Sequence, residues 1–449
     1  MFKDKEFLKK LLTIGIPIAI QNLIMSSMNI VDVFMVGQLG EVEIAGLGLA
    51  NQIFFLMILI LFGINSGGSI FIAQFWGKKN IPKIRQTVGI SIVLGVIVTL
   101  FSFVGVELFS KGLMGIYTKD INVIARGSEY LVIVAWSYVF TAVGFSFAIA
   151  LRSIGNTKVP MYTSLISLVI NLILNYIFIF GKLGFPAMGV KGAALATVIA
   201  RIIECIAMIV ITYSQKYEIA GKLKEFFSFE KEMLSRFVKI SLPVIFHESF
   251  WALGVTTYNV VYARIGTSSI AAVSIEGSIE RLAFVLFVGI GNAASVMIGN
   301  KIGEDKEEEA YDYAIKFAKI GPLLAIFMGI FLAIISSSIL KMYNVSEEVY
   351  TYSKILLIMF AGYMPFKVFN MINIVGILRS GGDTKAGLFL ELSGIWLIGV
   401  PLALFTGFVM HWSVYYVYFF ANTEEIFKAI LGIKRLLSKK WLKNLVSDM

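Results

Sequence analysis

The stretch LLTIGIPIAIQNLIMSSMNIVDVFMVG, residues 11–37, carries a single charged residue, Asp32, near the end of a long apolar run. Insertion scales put the cost of an aspartate at the centre of a membrane helix at about 2.5 to 3.5 kcal/mol. The run contains Pro17 and has no small-residue cleavage site, so we interpret it as a first membrane span and not as a secretory signal. A function that requires Asp32 would explain why the sequence tolerates it.

The composition is that of an integral membrane protein. Of the 449 residues, 58% are hydrophobic and 15% are charged, whereas soluble domains are about 45–50% apolar and about 25% charged. The formal net charge is +10. The basic residues lie in short loops between apolar runs, so we expect membrane lipids with anionic headgroups as partners and no nucleic acid.

Twelve apolar runs reach the length of about 20 residues that a membrane-spanning helix needs. They predict an all-α membrane protein with spans at residues 12–37, 45–75, 88–109, 124–151, 160–181, 189–213, 237–264, 270–299, 314–340, 349–378, 386–408 and 412–433. The charged segment between spans six and seven predicts a linker with a short surface helix. We therefore expect an N-lobe at residues 1–213, a cytoplasmic linker at 214–236, and a C-lobe at 237–449 with a basic cytoplasmic tail.

Lysine and arginine are distributed unevenly between the two sides of these spans. With a cytoplasmic N-terminus, the inside segments carry 26 of these residues and the outside segments carry 7. This asymmetry follows the positive-inside rule. It predicts a multi-pass protein of the cell (inner or plasma) membrane with both termini in the cytoplasm.

The two halves of the chain repeat each other. A shift of 226 residues aligns residues 17–77 with 243–303 without a gap and with 11 identities. One residue out of that register, LRSIGNTK (151–158) matches LRSGGDTK (378–385) at six of eight positions. Because each half contains an even number of spans, both halves have the same orientation. This predicts a pseudo-two-fold axis along the membrane normal and a transporter with its site between the halves.

Two carboxylates lie inside predicted spans without a basic partner on their own helix. Asp32 in span one and Glu248 in span seven have no lysine or arginine three or four residues away. Water at the membrane surface or a neighbouring helix could satisfy either of them. Ionisable residues inside spans are nevertheless functional by default, and such carboxylates can bind and release protons.

Spans five and six add uncharged polar groups. Asn171 and Asn175 lie four residues apart and therefore share a helix face, and Thr197 lies in span six. Hydrogen bonding between helices would by itself explain these residues. Together with Asp32, their oxygens would also suit a weakly bound Na⁺ or a hydrogen-bonded proton, so we predict cation or proton coupling there and no tightly bound metal.

Spans eight and ten carry further ionisable groups. Glu276 and Glu280 in span eight could form an ion pair with another span or contact the substrate. Lys367 shares a face of span ten with Asn370 and could neutralise Glu248. We predict that Glu248, Glu276, Lys367 and Asn370 form a substrate site or C-lobe site.

Three other charged positions have simpler interpretations. Arg201 and Glu204 are three residues apart in span six and are expected to pair with each other. Arg281 follows Glu280 and shares its two alternatives. His247 is expected to point away from Glu248, because successive helical residues do not share a face.

The sequence contains no pattern typical of an enzyme. It has two histidines, one cysteine and no GxxxxGK[ST] nucleotide-binding loop. The single Cys205 excludes an internal disulfide. We therefore predict no enzymatic activity and no cofactor, and we expect an ion gradient to supply the energy for transport.

Three segments carry a resemblance to a known family. PIAIQNLIMSSMNIVDVFMVGQLGEVEIAGLGLANQI (17–53) resembles the start of multidrug and toxic compound extrusion (MATE) transporters, of the multidrug/oligosaccharidyl-lipid/polysaccharide flippase superfamily. LRSIGNTKVP (151–160) and LRSGGDTKAG (378–387) resemble the paired loops after spans four and ten. The resemblance implies twelve helices in two six-helix lobes that form a V around a central cavity. It also implies export of bulky cationic and aromatic compounds in exchange for H⁺ or Na⁺.

The resemblance also assigns roles by position. Asp32 matches the N-lobe coupling carboxylate of the family, and Asn171, Asn175 and Thr197 look like its companions. Some archaeal members have an acid where Asn175 stands, so this site would be less charged here.

The second carboxylate fits the family less completely. Glu248 matches an acid that resembles a C-lobe cation ligand in the sodium-coupled branch. That branch also has an aspartate in span ten, whereas residues 355–378 of this chain contain no acid and include Lys367. The resemblance therefore favours coupling at Asp32.

We therefore predict a secondary active multidrug efflux transporter, an antiporter that acts as a monomer and exchanges H⁺ or Na⁺ for small cationic drugs. The alternative is a flippase for a lipid-linked oligosaccharide or a peptidoglycan precursor. A flippase would need a cationic cavity for a pyrophosphate, and the candidate residues are not clearly basic. A membrane-embedded enzyme or receptor is a third interpretation, which the repeat and the scarcity of histidine and cysteine disfavour.

Overall fold

The structure is a computed structural model, and it describes residues 4–449. Within that range, each predicted span coincides with one helix or with consecutive helical segments. In chain order the helices are α1 (Lys5–Gly37), α2 (Glu41–Gly77), α3 (Ile81–Tyr117), α4 (Ile121–Ala135), α5 (Tyr138–Ser153), α6 (Lys158–Phe180), α7 (Val190–Ser214), α8 (Leu223–Phe227), α9 (Lys231–Ile265), α10 (Thr267–Gly303), α11 (Glu307–Leu340), α12 (Glu347–Met371), α13 (Thr384–Gly394), α14 (Val400–Leu404) and α15 (Val414–Leu437).

Three spans are built from more than one helix. Span four consists of α4 and α5, which are bent by 55° at the break between them. Span ten is α12 continued by a π-helical segment, Ile372–Leu378. Span eleven is α13 and α14 with two further π-helical segments, Ile395–Gly399 and Phe405–Val409. The short helix α8 lies in the predicted linker.

Nine helical runs in the described part of the chain are long and apolar enough to cross a membrane, and the bent pair α4 and α5 makes a tenth. The remaining two, α9 and α15, fall short because their interiors contain charged residues. Several of these side chains, including His247, Glu424 and Lys428, are buried inside the protein and so do not meet lipid. The predicted all-α membrane fold is thereby confirmed.

The chain divides into two compact units. The N-terminal unit is Ile20–Ser241, and the C-terminal unit is Leu242–Met449 together with the chain up to Ala19. Helix α1 therefore contributes residues to both units. The lobe boundaries at residues 213 and 237 stay a prediction.

In the N-terminal unit, α2 packs against α3, α4 and α5, and α6 packs against α7. Leu47, Leu61 and Leu131 are fully buried in its core. The hairpin of α6 and α7 is held very close, because a Cβ added at Gly192 would lie 2.6 Å from the carbonyl of Phe178. This close approach fixes the polar residues of spans five and six next to each other.

In the C-terminal unit, α10, α11 and α12 pack together, and α15 packs against α12 and α13. Phe317 and Phe360 are fully buried in this core. The start of α1 joins it, since the Phe7 and Phe317 rings lie 5.0 Å apart and Lys316 pairs with Asp4 at 2.6 Å. The position of α15 brings its charged face inside the unit.

Candidate ion-coupling sites

Asp32 lies in a polar cluster of the N-terminal unit, and its side chain is buried. Nδ2 of Asn175 donates a hydrogen bond of 2.6 Å to Oδ1 of Asp32 and also lies 3.1 Å from Oδ1 of Asn171. Nδ2 of Asn171 in turn donates to Oγ1 of Thr197 at 3.4 Å. Helices α1, α6 and α7 therefore bring the four residues of the predicted coupling site into one cluster.

The groups around Asp32 suit reversible protonation. Asp32 forms no ion pair within residues 4–449, although Arg201 is close enough to interact with it electrostatically. Oδ1 of Asn175 has no hydrogen-bond partner in the same range. A protonated Asp32 would gain an O–H donor, for which this amide oxygen is an acceptor. Tyr130 of α4, which no sequence pattern indicates, is buried beside the cluster.

A second set of polar residues in this unit, the N-terminal network, lies in spans one, four, five and six. Oε1 of Gln21 accepts hydrogen bonds from Nε and Nη2 of Arg152 at 3.1 and 2.5 Å. Nε2 of Gln21 donates to Ser164 at 2.9 Å, and Ser164 donates to Glu204 at 2.7 Å. Arg201 pairs with Glu204 at 2.8 Å, which confirms the pair expected from their spacing.

Glu248 has a different partner from the one expected. Nη2 of Arg379 lies 2.6 Å from Oε1 of Glu248, whereas Nζ of Lys367 lies 2.8 Å from Glu280. The predicted pair of Lys367 with Glu248 is therefore wrong. The expectation for His247 is also wrong, since its Nδ1 lies 3.2 Å from Oε1 of Glu248. Although successive residues start on different faces, both side chains converge on the guanidinium of Arg379.

The interior of α15 holds charged residues that sequence reasoning missed. Nζ of Lys428 lies 3.3 Å from Glu391, 3.2 Å from Glu425 and 3.8 Å from Glu424. Glu391 also lies 3.3 Å from Nε2 of His247, which connects α15 to α9 through α13. The segment ANTEEIFK (421–428) carried the signal, because it spaces these charges three and four residues apart.

The remaining residues of the predicted C-lobe site have separate partners. Oε1 of Glu276 accepts a hydrogen bond from the hydroxyl of Tyr418 at 3.1 Å. Nδ2 of Asn370 donates to Oε2 of Glu425 at 2.7 Å. Arg281 donates to Ser278 on the same helix at 3.0 Å. Glu248, Glu276, Lys367 and Asn370 thus belong to one unit, but no direct hydrogen bond or ion pair joins any two of them within the described chain.

Neither unit contains a cluster typical of a resident metal ion. No group of three or more His, Cys, Asp or Glu side chains in residues 4–449 is placed to hold one. A sodium ion at Asp32 would need amide and hydroxyl oxygens as further ligands. Oδ1 of Asn171 already accepts from Asn175, and Oγ1 of Thr197 accepts from Asn171. Two of the oxygens that a sodium ion would need are therefore already hydrogen-bonded within the cluster.

The chain resembles known proteins over nearly its whole length. The MatE family model matches residues 17–177 and 243–405, which is one match in each half. The "Uncharacterized transporter YisQ" of Bacillus subtilis is 26% identical over 440 residues, covering 98% of this chain and 96% of that protein. The "Probable multidrug resistance protein NorM" of Thermotoga maritima is 24% identical over 448 residues, covering 98% and 94%.

Solved structures share the fold. A structure of a mutant of the Vibrio cholerae MATE transporter VcmN matches with a TM-score of 0.89 and 19% identity, covering 98% of this chain and 100% of that chain. A MATE structure in complex with MaL6 matches with a TM-score of 0.85 and 20% identity, covering 96% and 97%. At these identities the structural matches establish the fold alone.

Proposed function

Since the chain belongs to the MatE family of transporters, we propose that it exports cationic, aromatic compounds in exchange for protons bound at Asp32. The family is the one that the sequence predicted, and the fold is the predicted one of twelve transmembrane helices in two lobes. One observation carries the proposal: a buried carboxylate bonded to Asn175 and without an ion pair in the described chain.

In this mechanism, the protonation of Asp32 controls when the compound is bound and when it is released. When the site is open to the outside, a proton neutralises Asp32 and changes its hydrogen bond with Asn175. Helix α1 then packs differently, which its internal Pro17 makes easier because proline interrupts the helical hydrogen bonds. The compound is released outside. When the site is open to the inside, the proton leaves, and the negative charge attracts the next cationic compound.

A proton is a better coupling ion for this cluster than sodium. The group nearest to the Asp32 carboxylate is an N–H donor of Asn175, which stabilises an ionised carboxylate but repels a metal cation. Arg201 adds positive charge in the neighbourhood. A proton needs one acceptor, and Oδ1 of Asn175 is an oxygen without a partner on the amide that already contacts Asp32, whereas Na⁺ needs several oxygens at once.

Cationic and aromatic compounds suit the composition of the chain. Its 37 Phe and 18 Tyr residues provide ring faces that attract cations, and its 18 Met residues provide flexible apolar side chains. Several relatives, including those of Thermotoga maritima and Bacillus subtilis, bear the name multidrug resistance protein. We propose that this protein acts as a monomer in the cell membrane, with both termini in the cytoplasm.

Ethidium efflux from proteoliposomes tests the function, with a pH gradient and a Na⁺ gradient imposed separately. We expect efflux with the pH gradient alone, and we expect its loss in Asp32→Asn. Asp312→Asn is the matched control, because Asp312 is exposed and pairs with Lys316 on its own helix.

Each other outcome has a defined meaning. Efflux that requires Na⁺ would assign the Asp32 cluster to sodium. Full efflux in Asp32→Asn would exclude Asp32 as the coupling residue. An absence of efflux under either gradient would contradict drug export and favour a lipid-linked substrate.

A further inference from the structure

The internal repeat extends to side-chain contacts. With a shift of 226 residues in the first span of each unit and 227 in the later spans, Gln21 corresponds to His247 and Arg152 to Arg379. Arg152 donates to Gln21 at 2.5 Å, and Nη2 of Arg379 lies 3.1 Å from Nδ1 of His247. The contact is therefore kept although one partner has changed.

A second contact follows the same register. Ser164 corresponds to Glu391. Gln21 donates to Ser164 at 2.9 Å, and Nε2 of His247 lies 3.3 Å from Oε2 of Glu391. Two equivalent contacts at equivalent positions justify the use of this register for other residues.

At the position of the Asp32 cluster, the acid and the hydroxyl occupy opposite helices in the two units. Asp32 corresponds to Tyr258, and Thr197 corresponds to Glu424. The N-terminal unit thus has an acid on α1 and a hydroxyl on α7. The C-terminal unit has a hydroxyl on α9 and an acid on α15. Each unit therefore has one acid and one hydroxyl at these two positions, but the helix that carries the acid differs.

The Tyr258 hydroxyl and the Glu424 carboxylate both lie against Gly399 on span eleven. A Cβ added at Gly399 would overlap the hydroxyl of Tyr258 and would lie 3.1 Å from Oε2 of Glu424. Glu424 is 4% exposed. Neither of the two oxygens has a hydrogen-bond partner within residues 4–449. Buried polar atoms are rarely left in this condition, so this pair calls for a ligand that can bridge them.

The positive charge closest to Glu424 is shared. Nζ of Lys428 is 3.8 Å from Oε1 of Glu424, but it is only 3.3 Å from Glu391 and 3.2 Å from Glu425. One ammonium therefore faces three carboxylates. Glu424 is the most distant of them, and its second oxygen has no cation.

Other charged groups do not balance the excess of negative charge around Lys428. The titratable groups that face Glu424 are Lys428 and Glu425 on α15, Glu391 on α13, Lys367 on α12, and Tyr258 and Tyr262 on α9. Three of these have a further polar partner of their own: His247 for Glu391, Asn370 for Glu425 and Glu280 for Lys367. Of the three carboxylates around Lys428, Glu424 is therefore the one whose charge is least compensated.

We propose that Glu424 is a second proton-binding carboxylate, at the point where its Oε2 meets the Tyr258 hydroxyl. A proton from water adds to Oε2, and the new O–H donates to the oxygen of Tyr258. When the proton returns to water, the O–H of Tyr258 donates to Oε2 instead. Na⁺ fits poorly, because the ammonium of Lys428 already faces the other carboxylate oxygen. The proposal extends proton exchange at Asp32, but it does not require that the protein move drugs.

Infrared difference spectra between acid and alkaline buffers test this proposal on the full chain in lipid nanodiscs. The C=O stretch of a protonated carboxyl group is distinct from that of the ionised form. We expect Glu424→Gln to lose one titrating component that Asp32→Asn retains. Glu425→Gln is the matched control and should retain it, because Glu425 has its own partners in Asn370 and Lys428.

Tyr258→Phe provides an independent readout if Glu424→Gln fails to fold, since it removes only the hydroxyl. We expect it to shift the frequency of the same component without abolishing it. Unchanged spectra in Glu424→Gln, or in Tyr258→Phe, would overturn the proposal. A titration midpoint that differs between sodium chloride and choline chloride would overturn the assignment to a proton. If the component is present but ethidium efflux is absent, this site stands and the proposed export function fails.

Discussion

The two units of this transporter bury charge in different ways. In the N-terminal unit, the two acids Asp32 and Glu204 accompany two arginines, Arg152 and Arg201. In the polar core of the C-terminal unit, six acids accompany three permanent cations and one histidine: Glu248, Glu276, Glu280, Glu391, Glu424 and Glu425 with Lys367, Arg379, Lys428 and His247. The first set is balanced, and the second has an excess of carboxylates.

The two units share the geometry of their arginine contacts but differ in the charge of the partner. The arginine after span four and the arginine after span ten both reach back to the first span of their unit. The partner is a neutral Gln21 in one case, and it is His247 with Glu248 in the other. A repeated fold thus preserves which positions touch, while substitution at those positions decides how many carboxylates a unit holds for each fixed cation.

The largest difference in the free energy of unfolding should be the one between variants of the two equivalent arginines, Arg379 and Arg152. Arg379→Met leaves the partly buried carboxylate of Glu248 without its cation, and removing one partner of a buried ion pair costs about 3 to 5 kcal/mol. Arg152→Met removes hydrogen bonds to the neutral Gln21, which costs about 1 to 3 kcal/mol. Denaturant titrations of the purified variants in detergent measure both free energies of unfolding.

A double variant serves as the control for this pair. Arg379→Met combined with Glu248→Gln removes the unpaired charge, so it should be more stable than Arg379→Met alone. Equal losses in Arg379→Met and Arg152→Met would show that the charge of the partner does not matter, and the contrast between the units would fail.

The second-largest effect should be the difference in stability between variants of Lys428 and of its equivalent, Arg201. Lys428→Met removes the ammonium shared by three carboxylates, and we expect a loss of about 3 kcal/mol at about pH 8. The loss should shrink at about pH 5, because carboxylates without a cation then bind protons. Arg201→Met removes the pair with Glu204 and the positive charge near Asp32, so it affects two carboxylates instead of three and should cost less than Lys428→Met. Unfolding free energies at the two pH values measure this, and a loss in Lys428→Met that is independent of pH would contradict the charge excess.

A smaller effect should come from the contact point on span eleven. Gly399→Ala places a Cβ against the Tyr258 hydroxyl, and overpacking of this kind costs about 1 to 3 kcal/mol. Gly362→Ala is the control, because a Cβ there meets nothing within 4 Å, and alanine in a helix gains about 0.5 to 1 kcal/mol over glycine. Thermal unfolding midpoints compare the two. Equal midpoints would mean that Tyr258 is not held at Gly399.

The sequence predicted the Asp32 cluster because its signals are local. A lone charge in an apolar run identifies Asp32, and a spacing of four residues places Asn171 and Asn175 on one face. The membrane spans were predictable for the same reason, since apolar run length decides them. Thr197 is grouped with them from its residue type, as a hydroxyl oxygen in span six.

The C-terminal core was not predictable in this way, because its partners lie on different helices. Arg379 looked like a loop cation after span ten, yet it points into the unit and binds Glu248. Lys428 is one of the 26 basic residues that the positive-inside count assigns to the inner side, yet it is 4% exposed and surrounded by acids. Charge counts along the chain treat such residues as solvated, and only packing reveals that α15 turns its charged face inward.

The smallest effect should lie outside both sets of buried charges, at the linker helix α8. The Lys222 backbone amide and the Arg85 guanidinium hold the pKa of Glu225 below its usual range. A lowered pKa means that this carboxylate stabilises the folded linker above the usual pKa of about 4.3. The contribution is lost as the pH falls through the lower pKa of the folded state.

Hydrogen exchange of the α8 amides, corrected for intrinsic rates, measures this effect. Protection of these amides should fall in the wild type below about pH 4. In Glu225→Gln it should be lower than in the wild type at neutral pH and should not depend on pH. Glu230→Gln is the control, because its oxygen lies 3.9 Å from Lys83, at the limit of an ion pair. We expect the unfolding midpoint of Glu225→Gln to equal that of the wild type, since the pair with Arg85 is solvent-exposed and screened. A lowered midpoint would mean that linker charges stabilise the N-terminal unit as its buried charges do, and the distinction between buried and exposed charge would no longer hold.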